Sequence, residues 1–210
     1  MKRAFIFDLD GVIVSTDRYH YAAWKSIADD ENIYFDEVIN NRLRGVGRME
    51  SLEIILERAS RVYGQEEKCA LAELKNERYR SSLEGLTQDD RLTGVTQTLK
   101  ALRGKGYLLA IGSSSKNARF ILDKIGYGDY FDAVVDGNDI VNGKPDPEVF
   151  VKAAQKLGLS ACDCYVVEDA KTGIDAAKSG GFTAVGLHDA SGYERADISL
   201  SAFSELFALD

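Results

Sequence analysis

The chain has 210 residues, 45% of them hydrophobic, which suits one large domain or one domain with a smaller one inserted. Its net charge of −8 and its lack of Lys/Arg-rich runs argue against nucleic acid or an anionic membrane as a partner. Three cysteines, without a CxxC motif or a recognisable signal peptide, predict reduced thiols in a cytoplasmic protein. Two histidines are too few for a His-rich zinc site, so any metal should be a hard cation held by oxygen.

The first predicted strand, Arg3 to Phe7, is apolar and leads directly into Asp8, Asp10 and Gly11. Residues two apart on a strand point the same way, so both carboxylates are expected to face one crevice. Two close carboxylates repel each other unless a cation shares the site. The alternative is a pair of surface aspartates that begin a loop, which the buried strand directly ahead of them disfavours.

The next stretch carries almost no strand signal over roughly ninety residues, against about 30 in an ordinary βαβ unit. Helical spacing of apolar residues is present at Asp17–Asp30, Arg48–Tyr63 and Glu66–Leu83. An elongated crossover is possible, but it does not need several helices. We therefore predict a helical domain over residues 15–87, inserted into a core of residues 1–14 and 88–210.

From residue 92 onward, apolar strand-like runs alternate with helical patterns. The runs lie at Tyr107–Ile111, Ala133–Val135, Cys164–Val167 and Thr183–Gly186, and the helical patterns near Val95–Lys105, Lys116–Ile125, Pro147–Leu157 and Thr172–Ser179. This alternation predicts an α/β fold with a doubly wound parallel sheet, whose site lies at the carboxyl ends of the strands.

Three polar segments follow strands of this sheet. A serine-rich segment, Gly112 to Asn117, offers hydroxyl and N–H groups that could cradle a phosphate at a helix N-terminus, although each serine could be an ordinary cap. A rigid loop, Gly143 to Pro147, holds both prolines of the chain and presents Lys144 as a point charge. The pair Glu168-Asp169 could complete an octahedral Mg²⁺ site with the first two aspartates, or cap the following helix.

Together these segments resemble the haloacid dehalogenase superfamily, with its D-x-D-G motif, Ser/Thr, Lys and late acidic pair. The resemblance implies a Rossmann-like core, an aspartyl-phosphate on Asp8, and Asp10 as general acid/base and backbone ligand of Mg²⁺. It further implies that Ser113 and Lys144 bind the transferring phosphate, while Asp169 holds the metal and Glu168 assists, as a direct ligand or from behind one.

Within that superfamily the inserted segment resembles the β-phosphoglucomutase family, at Tyr19 to Trp24, at Gly45 to Leu52 and at Lys75-Asn76. The core segment Ser115 to Asn117 is similar to the same family. The resemblance implies a hinge at Thr16, and it places Trp24 in the pocket wall, although Trp24 could equally belong to the apolar core of the helical domain. It also implies that His20 and Lys75 position the substrate, and that Arg48 binds the second phosphate. The further substrate-binding residues that it implies are Gly45, Ser114, Ser115 and Asn117.

The resulting hypothesis is a cytoplasmic, monomeric, Mg²⁺-dependent mutase that interconverts β-glucose 1-phosphate and glucose 6-phosphate, with glucose 1,6-bisphosphate as activator. The alternative is a sugar-phosphate or phosphoglycolate-type phosphatase on the same scaffold. A third possibility is a silent binding protein, because a fold does not fix function.

Overall fold

The computed structural model describes residues 3–43 and 46–209. It divides the chain into two compact units, Met1–Ser15 with Leu86–Asp210, and Thr16–Gly85. The boundaries predicted from the sequence lie within two residues of these. We call the first the α/β unit and the second the helical unit.

The α/β unit is built on one parallel sheet with the strand order β3-β2-β1-β4-β5-β6. The strands are β1 (Ala4–Phe7), β2 (Leu108–Gly112), β3 (Ala133–Val135), β4 (Cys164–Glu168), β5 (Thr183–Gly186) and β6 (Ile198–Ser199). Chain order reverses at β1, which pairs with both β2 and β4. Such a reversal opens a crevice at the carboxyl edge of the sheet, which is where the sequence predicts the site. The predicted fold class is confirmed.

Helices cover this sheet because each carries an apolar stripe that packs against the strands. They are α5 (Val95–Gly104), α6 (Ala118–Lys124), α7 (Glu148–Lys156) and α8 (Lys171–Ser179). Phe150 of α7 and Ile174 of α8 pack in one buried cluster with Ile6 and Val166 of the central strands. None of the helices in the described part of the chain has the length and apolarity needed to cross a membrane.

The helical unit contains four helices around a separate apolar cluster that includes Trp24, Phe35 and Leu52. The helices are α1 (Asp17–Asp30), α2 (Glu37–Asn41), α3 (Arg48–Leu56) and α4 (Gln65–Leu83). The predicted helix Arg48–Tyr63 was therefore too long, because the chain leaves the helix after Leu56. This departure buries Tyr63 in the cluster, where its hydroxyl donates to Glu31 (2.8 Å).

The outer edge of the sheet at β3 is closed by side chains. Ser113 N–H donates to the carbonyl of Val135, so the carbonyl of Val134 points away from β2. That outward carbonyl accepts hydrogen bonds from Arg119 Nη2 (2.9 Å) and Lys156 Nζ (3.0 Å). The one outward carbonyl of this three-residue strand is therefore already bonded to cations of its own chain.

Candidate active site

Asp8 directly follows the carboxyl end of β1, the strand at which the chain order reverses and the crevice opens. The strand ends at Phe7, as predicted, so Asp8 is the first residue after it. After the strand the backbone turns at Gly11, which has a φ of +76°. A β-carbon at Gly11 would lie 2.0 Å from Asp169 Oδ2, so only glycine allows this close approach.

Lys144 lies between two buried carboxylates. Its ammonium donates to Asp8 Oδ1 and to Glu168 Oε1, each at 2.5 Å, and its side chain is only 4% exposed. Burial alone would lower the pKa of Lys144, but Asp8 and Glu168 outweigh it and raise that pKa. The loop lysine that could have been merely solvated is therefore a fixed positive charge beside Asp8.

The acidic pair Glu168-Asp169 stands at the end of β4, just ahead of α8. Glu168 Oε2 accepts the N–H of Ala170, the N-cap residue of α8, while its other oxygen contacts Lys144. No side chain among the described residues caps α8, so the capping alternative for this acidic pair is wrong, whereas the contact of Glu168 with Lys144 is consistent with the predicted active-site role. A β-carbon at Gly173 would lie 1.9 Å from Glu168 Oε1, so the first turn of the helix is fitted closely around this carboxylate.

Three carboxylates lie close to the ammonium of Lys144 at this edge of the sheet. Oxygens of Asp8, Glu168 and Asp169 lie within 4.8 Å of one another, and Lys144 contacts two of these side chains. Burial raises the pKa of Asp8 to about 7, against the lowering effect of Lys144. Burial and the neighbouring Glu168 raise the pKa of Asp169 to about 8. Asp10, whose charge also raises both pKa values, is not a member of this oxygen cluster.

This donor set fits a magnesium ion. The ligand atoms are oxygens, which hard divalent cations prefer, and the excess negative charge of the site favours a bound cation. Magnesium dependence is consistent with both the cluster and the superfamily resemblance.

The serine-rich segment folds into a turn after β2. Ser113 is buried, and its hydroxyl oxygen accepts the N–H of Ser115 (3.2 Å). Ser115 Oγ accepts the N–H of Asn117, which caps α6 (3.2 Å). The hydroxyl of Ser114 is shielded from solvent and has no hydrogen-bond partner among the described residues. The segment therefore holds two serine turns and one shielded hydroxyl group without a partner among the described residues, and its role as a phosphate cradle stays a prediction.

The helical unit gathers its own polar cluster. The ammonium of Lys75 is 2.9 Å from His20 Nδ1 and lies over the rings of Trp24 (5.0 Å) and Tyr79 (4.5 Å). Burial, and then the charges of Lys75 and Arg48, hold the pKa of His20 well below its usual value. His20 is therefore neutral at pH 7. Its Nδ1 accepts a hydrogen bond from the Lys75 ammonium.

Tyr79 belongs to this cluster, but the sequence analysis did not identify it. Its hydroxyl donates to Thr16 Oγ1 (2.9 Å), and both side chains are buried. The available signal was helical spacing, because Tyr79 follows Lys75 by four residues and lies on the same face of α4.

Arg48 begins α3, and its guanidinium donates to Asn76 Oδ1 (2.9 Å). Burial lowers the pKa of Arg48, but arginine keeps its charge in proteins. A half-buried guanidinium held by a neutral amide retains its attraction for an anion. Gly45, also predicted to bind substrate, lies outside the described residues.

Comparison with known proteins gives a consistent family. A sequence model described as haloacid dehalogenase-like hydrolase matches residues 2–181. The β-phosphoglucomutase of Bacillus subtilis is 42% identical over 206 residues, which cover 97% of this chain and 91% of that protein. The crystal structure of β-phosphoglucomutase from Clostridium difficile superposes with a TM-score of 0.91 at 37% identity, covering 98% of this chain and 93% of that one.

Phosphatases are also related, at lower identity. The fructose-1-phosphate phosphatase of Escherichia coli is 32% identical over 180 residues, or 86% of this chain and 93% of that protein. The phosphorylated carbohydrates phosphatase of Thermotoga maritima is 31% identical over 184 residues, or 85% of this chain and 81% of that protein.

Proposed function

Because the chain belongs to the haloacid dehalogenase-like hydrolase family, and within it to the β-phosphoglucomutase group, we propose that it is a mutase of sugar phosphates. It interconverts β-D-glucose 1-phosphate and glucose 6-phosphate, and each phosphoryl group passes through Asp8. Three basic side chains close together in the helical unit, His20, Arg48 and Lys75, support this proposal most directly. A mutase must hold a second phosphate while the first is transferred, whereas a simple phosphatase need not.

In the α/β unit, a carboxylate oxygen of Asp8 attacks phosphorus as the bond from phosphorus to the sugar oxygen breaks. Asp10 gives its proton to the departing sugar oxygen and takes a proton from the attacking sugar hydroxyl in the reverse step. Lys144, 2.5 Å from Asp8 Oδ1, offsets the charge of the transferring group, and Ser113 binds its oxygens. Glu168 keeps the lysine in place through its own contact with the ammonium.

Asp8 and Asp169 would hold Mg²⁺, assisted by Glu168 and by the backbone carbonyl of Asp10. When bound, the ion neutralises charge on the phosphoryl oxygens. The raised pKa values of Asp8 and Asp169 support this assignment, because a bound cation stabilises their ionised forms.

In the helical unit, Arg48 is the proposed ligand of the second phosphate. In the α/β unit, Ser115 and Asn117 are proposed as further phosphate donors. His20 and Lys75 orient the sugar, and Ser114 and Gly45 add contacts. Thr16, the first residue of the helical unit, is the proposed hinge residue. Trp24 is buried in the cluster of that unit and backs the proposed pocket wall beneath the Lys75 ammonium. The hydrogen bond from Arg48 to Asn76 supports this role, because it fixes the guanidinium plane that a phosphate would meet.

The reaction cycle begins with Asp8 already phosphorylated. Glucose 1,6-bisphosphate in catalytic amount supplies that phosphoryl group and is the activator. We infer a monomer in the cytoplasm, where the three cysteines, which form no disulfide in the described structure, stay reduced.

The test is a coupled assay with Mg²⁺ and β-glucose 1-phosphate that follows glucose 6-phosphate and free phosphate, with and without trace bisphosphate. We expect bisphosphate-dependent formation of glucose 6-phosphate, which Asp8→Asn abolishes. Asp89→Asn, which removes an exposed carboxylate of the same unit, should behave as the unchanged protein. Free phosphate as the main product, indifferent to the bisphosphate, would refute the mutase.

The second candidate is a sugar-phosphate or phosphoglycolate-type phosphatase, supported by the two phosphatases that match this chain at 31–32% identity. It predicts steady release of phosphate from several phosphomonoesters and no response to the bisphosphate. The same assay therefore separates the two functions.

A further inference from the structure

Tyr79 connects Thr16, the proposed hinge residue, with His20 and Lys75, which carry the proposed substrate-orienting role. It lies on α4 with 1% of its surface exposed. Its ring centroid is 4.0 Å from that of His20, and Lys75 Nζ lies 4.5 Å above its face. Its hydroxyl donates to Thr16 Oγ1 at 2.9 Å. One rigid side chain therefore contacts the predicted hinge and both members of the His20–Lys75 pair.

The bond to Thr16 matters because of where Thr16 lies. Thr16 is fully buried and is the residue with which the chain enters the helical unit. Its carbonyl accepts the N–H groups of Tyr19 and His20, so it begins the first turn of α1. A hydrogen bond that holds Thr16 against α4 therefore fixes the start of the helix that carries His20.

The ring supplies the second constraint. The quadrupole of Tyr79 attracts the Lys75 ammonium, and its close, tilted contact with the His20 ring limits rotation of the imidazole. The same side chain thus orients a donor and an acceptor that lie 2.9 Å apart.

We propose that Tyr79 is a positioning residue for phosphoryl transfer, which acts through Thr16, His20 and Lys75 without touching the reacting atoms. This inference rests on the proposed mutase function. A mutase must present a sugar hydroxyl to the aspartyl-phosphate in place of water. If the orienting cluster loosens, the sugar hydroxyl loses its advantage and more phosphoryl groups are lost to water.

The experiment uses Tyr79→Phe in the full chain, with glucose 6-phosphate and free phosphate measured together during bisphosphate-activated turnover. Loss of one buried hydrogen bond predicts a fall in kcat/KM of about five- to tenfold. The ratio of free phosphate to glucose 6-phosphate should rise severalfold. That ratio does not depend on the fraction of protein that is folded.

Tyr63→Phe is the matched control. It also removes the hydroxyl of a buried tyrosine in the helical unit, but that hydroxyl donates to Glu31. We expect Tyr63→Phe to change the melting temperature and leave the product ratio unchanged. An equal rise of the ratio in both variants, or an unchanged ratio in Tyr79→Phe, overturns the proposal.

A double-mutant cycle with Thr16→Val tests the specific contact. If Tyr79 acts through Thr16, the kcat/KM of the double variant should be little lower than that of either single variant. If the two residues act independently, the fold-losses of the single variants would multiply in the double variant, which would refute the coupling. Failure of the proposed function is distinguishable, because the unaltered protein would then form no bisphosphate-dependent glucose 6-phosphate.

Discussion

Replacement of Lys144 by methionine would keep an unbranched apolar side chain and remove the ammonium that contacts Asp8 and Glu168. Two buried carboxylates would then lose their shared counter-ion. Removal of one member of a buried ion pair costs about 3–5 kcal/mol, because the remaining charge is left uncompensated. We expect the free energy of unfolding of Lys144→Met to fall by about that amount at pH 8 in the presence of a chelator.

The loss of stability in Lys144→Met should depend on pH in a defined direction. The pKa of Lys144 is raised, so its stabilising contribution is complete below the usual pKa of lysine and is still present at pH 8. The deficit in the variant comes from ionised carboxylates, and the pKa of Asp8 is already about 7 in the unaltered protein. Because Asp8 protonates as the pH falls, the deficit should be smaller at pH 5 than at pH 8.

The assay is urea unfolding followed by circular dichroism. Fluorescence of Trp24, the single tryptophan, reports the helical unit separately. The control is Lys152→Met, whose half-exposed ammonium pairs with Glu148 one turn away and should cost less than about 1 kcal/mol. A loss no larger than that of the control, or a loss equal at both pH values, would refute the reasoning.

Three further predictions concern the metal, the packing and the second phosphate. Mg²⁺ should raise the melting temperature more at pH 8 than at pH 6, because Asp8 and Asp169, with pKa values of about 7 and 8, ionise as the pH rises. Asp169→Asn should remove most of this rise in melting temperature. A rise that is equal at both pH values would contradict the assignment of the metal ligands. Gly173→Ala would place its β-carbon 1.9 Å from a carboxylate oxygen and should cost about 1–3 kcal/mol in urea unfolding. Gly104→Ala, also in a helix but with open space around it, should cost nothing, and equal effects would refute the clash. Arg48→Lys should raise the KM for β-glucose 1-phosphate about tenfold with a smaller change in kcat, because lysine lacks the planar fork of donors. An unchanged KM would show that Arg48 does not bind the substrate.

The α/β fold was predictable because its signals are local and repeated. Apolar runs alternate with helical patterns, and in a parallel sheet the carboxyl ends of the strands share one edge. This rule alone brings Asp8 and Lys144 together, although they lie 136 residues apart. The assembly of Asp8, Lys144, Glu168 and Asp169 at one edge could therefore be anticipated, whereas their individual chemical roles stay proposals.

The contacts inside the site were less predictable. Nothing local shows that Glu168 divides its two oxygens between Lys144 and the start of α8, because that depends on how closely the helix packs at Gly173. Tyr79 and its partner Thr16 are 63 residues apart, and no sheet register fixes their pairing. The end of α3 at Leu56 was missed for a related reason, since burial of Tyr63 overrides a helical spacing that continues past it.

The cationic side chains at strand β3 bear on solubility. An unpaired strand edge is a template on which another chain can add a strand and begin a fibril. Here the outward carbonyl of Val134 is already bonded to Arg119 and Lys156, and an incoming strand would have to displace both. The sheet is thus protected against growth from this side by residues that take no part in the proposed chemistry.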